Sequence, residues 1–137
     1  MPDPRYSSLV LAHFDAPGHA GALPAGPGML CSGSAGAREQ GTVVSFQLRI
    51  LDGHIAAAGF LAYGCPHSIA ACDLACEWLN GAPVERIATL RAAELAHALQ
   101  LPAPKLGRLL LVEDALRNCG RAWDNSQLSV AGPQGDQ

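Results

Sequence analysis

The sequence predicts an α+β protein in which a small antiparallel sheet packs against helices. Three observations point there. Val44, Phe46, Leu48 and Ile50 alternate with Ser45, Gln47 and Arg49, the period-two pattern of a strand with one apolar and one wet face. Asp52-Gly53 follows as a hairpin turn. From residue 67 onward the apolar residues recur at helical intervals instead. Strands grouped ahead of helices indicate an α+β sandwich rather than alternating βαβ units.

Taken in order, residues 5–14 read as an amphipathic helix with Tyr6, Leu9, Val10 and Phe14 at helical spacing, stopped by Asp15-Ala16-Pro17-Gly18. Residues 15–41 are rich in Gly and Pro and read as a long loop, a class that inside compact domains is often functional. A strand through Val44–Ile50 and a second from His54 to about Ala62 form the hairpin. Pro66 then opens a helix that Ser68 is placed to cap, with Ile69, Cys72, Cys76 and Leu79 on one face and Asn80-Gly81 as its stop. A turn around Pro83–Ile87 leads to a helix near Arg91–Leu99, with Leu95, Ala96 and Leu99 inward. Two prolines make Leu101-Pro102-Ala103-Pro104-Lys105 an extended break. The last helix is expected from about Lys105 to Trp123, burying Leu106, Leu109, Leu110, Leu116 and Cys119. One domain over residues 1–123 and a flexible tail over 124–137 complete the expected organisation.

Composition narrows the function. The chain of 137 residues is 49% hydrophobic and 15% charged, with a net charge of −3, which disfavours a nucleic-acid footprint. It has no apolar run long enough for a membrane span and no signal-peptide pattern at Met1–Arg5, so a cytoplasmic location is expected. The five cysteines (Cys31, Cys65, Cys72, Cys76 and Cys119) show no CxxC pair, and a disulfide framework is not expected in such a chain. There is no phosphate loop and no identifiable nucleophile–base pair, so an enzyme is the least favoured class.

Tyr63-Gly64-Cys65-Pro66-His67-Ser68-Ile69-Ala70 puts a thiol at the turn between a strand and a helix. With Glu77-Trp78-Leu79, this stretch resembles the centre of the NifU N-terminal (IscU-type) iron–sulfur cluster scaffold family. Other pieces fall in the family's order: Tyr6-Ser7, His13-Phe14, Ala16-Pro17, Gly36-Ala37, Gly41-Thr42-Val43 and Glu113-Asp114-Ala115. Leu101-Pro102-Ala103-Pro104-Lys105 is similar to the family's Leu-Pro-Pro-Val-Lys segment, which an Hsp70-type chaperone grips, although Pro104 removes a backbone donor. The resemblance covers roughly residues 6–121. It implies a three-stranded sheet, with an additional strand between about residues 31 and 39, and a cysteine desulfurase and a chaperone as partners.

The family holds its nascent cluster with three cysteines, an aspartate and a histidine. By that resemblance Cys65 matches the second cysteine, while Gln40 and Thr42 stand for the first cysteine and the aspartate, and Gly107 and Arg108 for the histidine and third cysteine. Gln40 and Thr42 are neutral oxygens poorly matched to iron–sulfur chemistry, Gly107 has no side chain, and the Arg108 guanidinium stays protonated and cannot ligate. On one chain an iron–sulfur cluster is not expected in the family's manner. Arg108 within about 4–6 Å of Cys65 would instead favour its thiolate.

Replacement ligands remain open. Cys65, His67 and Cys72 could contribute to a mixed zinc site, and Cys31 could stand in for the thiol missing at position 40. Against this, Cys72 and Cys76 fit the core stripe of their helix, His67 reads as a solvent-facing first-turn residue, and Cys31 as an incidental loop thiol. Three functions follow: a cluster-assembly scaffold with a degenerate site, a non-cluster protein that binds the desulfurase, the chaperone or a true scaffold, and a zinc protein.

Overall fold

The computed structural model describes residues 21, 23, 26–37, 39, 41–101 and 106–131, the side chains of 106–108 and 128–131 excepted. The helix expected over 5–14 lies outside the described residues. Among the described residues seven elements follow in order: β1 (Met29–Ala37), β2 (Thr42–Leu51), β3 (His54–Tyr63), α1 (Pro66–Leu79), α2 (Arg86–Thr89), α3 (Ala92–Ala98) and α4 (Leu106–Ala131).

The strands form an antiparallel sheet in the order β1-β2-β3. Its hairpin turn is the expected one, with Asp52 and Gly53 both at positive φ (54° and 77°), as a two-residue primed turn demands. The register pairs Phe46 with Phe60 and Leu48 with Ala58, so the alternating residues of β2 share one face with those of β3. Val44, Phe46, Leu48 and Ile50 are all buried there, as their alternation requires. The helices lie on this face: α1 packs on β3, α4 on β1 and β2, and α2 and α3 on α4. The result is a two-layer α+β sandwich. No helix among the described residues is long and apolar enough to cross a membrane.

Four expectations need correction. The glycine-rich stretch 15–41 is not loop throughout, because β1 occupies Met29–Ala37, close to where the family resemblance puts its extra strand. Its sequence, MLCSGSAGA, offers little intrinsic strand preference; pairing with β2 from Met29↔Ile50 to Ala37↔Thr42 holds it extended. Its glycine also has a packing role, since a Cβ on Gly33 would lie 2.5 Å from the carbonyl oxygen of Ala115 and 2.8 Å from the carbonyl carbon of Asn118. The backbones of β1 and α4 therefore touch where only glycine fits.

Second, α1 is not buried along a single stripe. Ser68, Ala70, Ala71, Cys72, Asp73, Leu74, Ala75 and Cys76 are all buried, while Ile69 is only partly so. Small side chains around its circumference let it sit deep between neighbours. Third, Leu110 is 49% exposed, because the inward stripe of α4 runs through Leu109, Val112, Leu116 and Cys119, and Leu110 is rotated off it. Fourth, α4 continues to Ala131 instead of ending at Trp123. Asp124-Asn125-Ser126-Gln127 contains no proline or glycine, and the first Gly-Pro pair of the sequence beyond it falls at 132–133.

The Glu113-Asp114-Ala115 motif acquires a structural explanation. The Glu113 carboxylate accepts a hydrogen bond of 2.8 Å from the Ala92 amide at the start of α3. One turn later Arg117 donates to the carbonyls of Ile87 (2.7 Å) and Leu90 (2.8 Å) at the end of α2. Two charged side chains of α4 thus satisfy backbone groups that short helices leave unpaired.

Candidate functional site around Cys65

Cys65 sits where β3 gives way to α1. Its backbone is extended (φ −80°, ψ 166°), it is the N-cap residue of α1, and Pro66 takes the first helical position. Ser68 therefore does not cap the helix; it stands at the third position of the first turn. Its hydroxyl is buried and lies 3.6 Å from the Cys65 sulfur. The thiol itself is partly exposed. The Cys-x-x-Ser spacing could have signalled this contact, since N-cap and third-position side chains face each other in the first turn of a helix.

The sheet register brings a second hydroxyl to the same place. Val43 pairs with Tyr63, so the first residue of β2, Thr42, lies beside Gly64. A Cβ on Gly64 would stand 3.4 Å from Thr42 Cγ2, 3.5 Å from Thr42 Oγ1 and 3.5 Å from Ser68 Cβ. Thr42 is only 3% exposed. The structure thus gathers a thiol and two buried hydroxyls, from Cys65, Ser68 and Thr42, around one turn.

The other candidate positions fall differently. Gln40 lies outside the described residues, as does the side chain of Arg108; Gly107 and Arg108 stand in the first turn of α4. The pairing of Cys65 with Arg108 falls there too. Leu101 is partly buried, and Pro102, Ala103, Pro104 and Lys105 lie outside the described residues. Where that segment leaves α3, Gln100 adopts positive φ (59°) and the Leu101 amide donates back to the Ala96 carbonyl, a helix-ending turn that glycine usually supplies.

The replacement ligands do not assemble. Cys31 is not a loop thiol: it is buried in β1 opposite Leu48, five residues along β2 from Val43 and so roughly 16 Å from the turn by strand rise. Cys72 is fully buried in α1, and burial pushes its thiol far above the ordinary range. His67 is buried, not solvent-facing, because α1 is enclosed from its first turn. Among the described residues no three His, Cys, Asp or Glu side chains converge in a way that could hold a metal ion. Zinc coordination by Cys65, His67 and a further described thiol therefore finds no support.

The remaining thiols belong to the core. Cys119, on α4, donates weakly to the Phe46 carbonyl, and burial raises its pKa to about 12. Burial also raises Cys76 and Cys31. These groups stay protonated and inaccessible at neutral pH, leaving Cys65 as the one cysteine that is not fully enclosed.

A three-stranded meander with helices on one face, and a cysteine at the strand-to-helix turn beside the start of β2, make up a fold of the NifU type. The NifU-like N terminal domain family matches residues 5–128, and the chain belongs to it. It is 32% identical over 123 residues to the iron-sulfur cluster assembly scaffold protein IscU of Azotobacter vinelandii, covering 89% of this chain and 96% of that protein. It is likewise 32% identical over 123 residues to iron-sulfur cluster assembly protein 2 of Arabidopsis thaliana, covering 89% of this chain and 76% of that one. Among solved structures, the N-terminal NifU-like protein of Brucella abortus shares the fold, with a TM-score of 0.65 at 18% identity over 88% of this chain and 95% of that one.

Proposed function

We propose that this chain serves iron–sulfur cluster assembly as a scaffold-type protein whose cluster site is reduced to a single family ligand, Cys65. In this reading the chain does not hold a cluster alone in the family's manner. It works as a scaffold-like or carrier partner rather than as a catalyst, in contact with a cysteine desulfurase and an Hsp70-type chaperone.

The observation that carries the reading is Thr42. It occupies the position matched to the family's aspartate, it is buried against Gly64 and Ser68, and it offers a neutral hydroxyl in place of a carboxylate. Iron in such clusters is held by thiolates, with imidazole or carboxylate as partial substitutes, and a threonine hydroxyl is a poor replacement for any of these. Gln40, Gly107 and Arg108, at the other matched positions, weaken the donor set further.

Loss of donors with retention of the fold also favours a second form of the same role. The chain would bind the desulfurase, the chaperone or a true scaffold without carrying a cluster. The test is gain of function. A variant carrying Gln40→Cys, Thr42→Asp, Gly107→His and Arg108→Cys is mixed anaerobically with ferrous iron and sulfide beside the wild type. Cluster absorption in the variant alone supports the proposal, and equal absorption in both overturns it.

A further inference from the structure

A cavity of about 330 Å³ opens between α2 and the C-terminal half of α4, sharing no lining residue with the turn around Cys65. Its walls are apolar: Val84, Ile87, Trp123 and the bare backbone of Gly120. Gly120 makes the floor, since a Cβ there would already touch Ile87 Cγ2 at 3.4 Å. The wall formed by α2 is held in place by Arg117, whose two bonds to the carbonyls of Ile87 and Leu90 tie it to α4. The groove is thus preformed, and little ordering would be lost on occupying it.

Two acidic residues, Glu85 and Asp124, both exposed, also line the groove. Among the described residues neither has an ion-pair partner, because the arginines nearest in sequence are engaged elsewhere. Arg86 is bound to Glu94 at 2.9 Å, Arg117 to the two carbonyls, and Arg121 to Asn118. An apolar cleft with an indole in its wall and acids that no described cation pairs with is complementary to a long cationic side chain with apolar neighbours. Its aliphatic stem can lie along Ile87 and Val84, with its charged end near the acidic residues and the Trp123 ring.

We infer that this groove docks a partner protein through an exposed arginine or lysine flanked by apolar residues. The volume lies at the low end of the ~300–1,000 Å³ typical of ligand pockets, which suits one inserted side chain better than a whole small molecule. The surface is separate from Cys65, and its role does not depend on whether the chain carries a cluster.

The test is a titration of the full-length, nitrogen-15-labelled chain followed by amide and indole NMR. The probe is the peptide acetyl-Ala-Leu-Arg-Leu-Ala-amide, with its glutamate counterpart as control. The arginine peptide is expected to shift the Trp123 indole and the Gly120 and Ala88 amides saturably, leaving the Trp78 indole in place. The glutamate peptide should not. Glu85→Lys combined with Asp124→Lys should weaken binding at least tenfold with the remaining spectrum unchanged, and added salt should weaken it in the wild type. No saturable shift at millimolar peptide, equal shifts with both peptides, or undiminished binding to the double variant would overturn the inference. So would ethylguanidinium binding as tightly as the peptide, which would make this a small-cation site.

Discussion

Replacing Gly33 with alanine should be among the most damaging single-methyl changes in this chain, and its magnitude can be worked from the contact it makes. The added Cβ would come within 2.5 Å of the Ala115 carbonyl oxygen and closer still to the Cys119 amide nitrogen. Ordinary contact would require α4 to retreat by ~1 Å, and a gap of that size forfeits roughly a quarter to a half of each dispersion contact across the seam. Leu109, Val112, Leu116 and Cys119 form the buried stripe of α4, so the loss spreads over much of the core. Both clashing partners are backbone, and no side chain can rotate away. The cost is therefore expected at the top of the range for overpacked cores, about 3 kcal/mol. Gly120→Ala provides the control. Its Cβ meets Ile87 at 3.4 Å, an ordinary contact, and replacing a glycine inside a helix should stabilise by about 0.5–1 kcal/mol. The same chemical change thus has opposite signs at two sites on either side of Cys119. Urea unfolding followed by circular dichroism at 222 nm, with the slope held common, measures both. Gly33→Ala within about 0.5 kcal/mol of wild type would mean that α4 does not seat closely on Gly33, because that is the range of an inconsequential surface change.

Three further outcomes follow from the same packing. Arg117→Ala removes the donor from the Ile87 and Leu90 carbonyls and should cost about 2–3 kcal/mol in urea unfolding, with Arg117→Lys recovering little because one ammonium cannot span both acceptors. Stability should fall on the alkaline side. Cys72, Cys76 and Cys119 have native pKa values raised by burial above the ordinary 9.0, so their contribution is complete below pH 9.0. Above it the unfolded chain ionises first, and each thiol should then cost about 1.4 kcal/mol per pH unit. For Cys119 this window closes near pH 12, and urea titrations at stepped pH should show a shallower decline in Cys119→Ala. Finally, a disulfide reagent at neutral pH should find one fast thiol out of five in the native protein, absent in Cys65→Ala, and all five in urea.

The sheet was legible in the sequence wherever one face is buried. The alternation through Val44–Ile50 and the Asp52-Gly53 turn together set the strand, its inner face and the hairpin. That hairpin register in turn places Thr42 beside Gly64, so half of the site's geometry was implicit in a strand pattern. β1 was not legible from periodicity, because Gly, Ser and Ala carry no two-residue signal; its conformation is imposed by β2 and by the close seat of α4 on Gly33. The surroundings of His67 and Cys31 were misread for a related reason. Both are buried by elements distant in sequence, and no local pattern reports that enclosure. Cys65 itself could be singled out because a cysteine followed by proline at a strand-to-helix junction is a local feature. The buried Ser68 hydroxyl beside it became visible only once Cys65, rather than Ser68, proved to be the cap.

If one thiol and two hydroxyls replace the family's cluster cage, anaerobic reconstitution of the wild-type chain and Cys65→Ala with ferrous iron and sulfide should leave a folded protein with substoichiometric iron and no cluster chromophore in either. Absorption spectroscopy with quantitation of bound iron and acid-labile sulfide reads this out. Stoichiometric iron and sulfide in the wild type, with a visible chromophore lost in Cys65→Ala, would contradict that replacement and show that a working cluster site survives around Cys65.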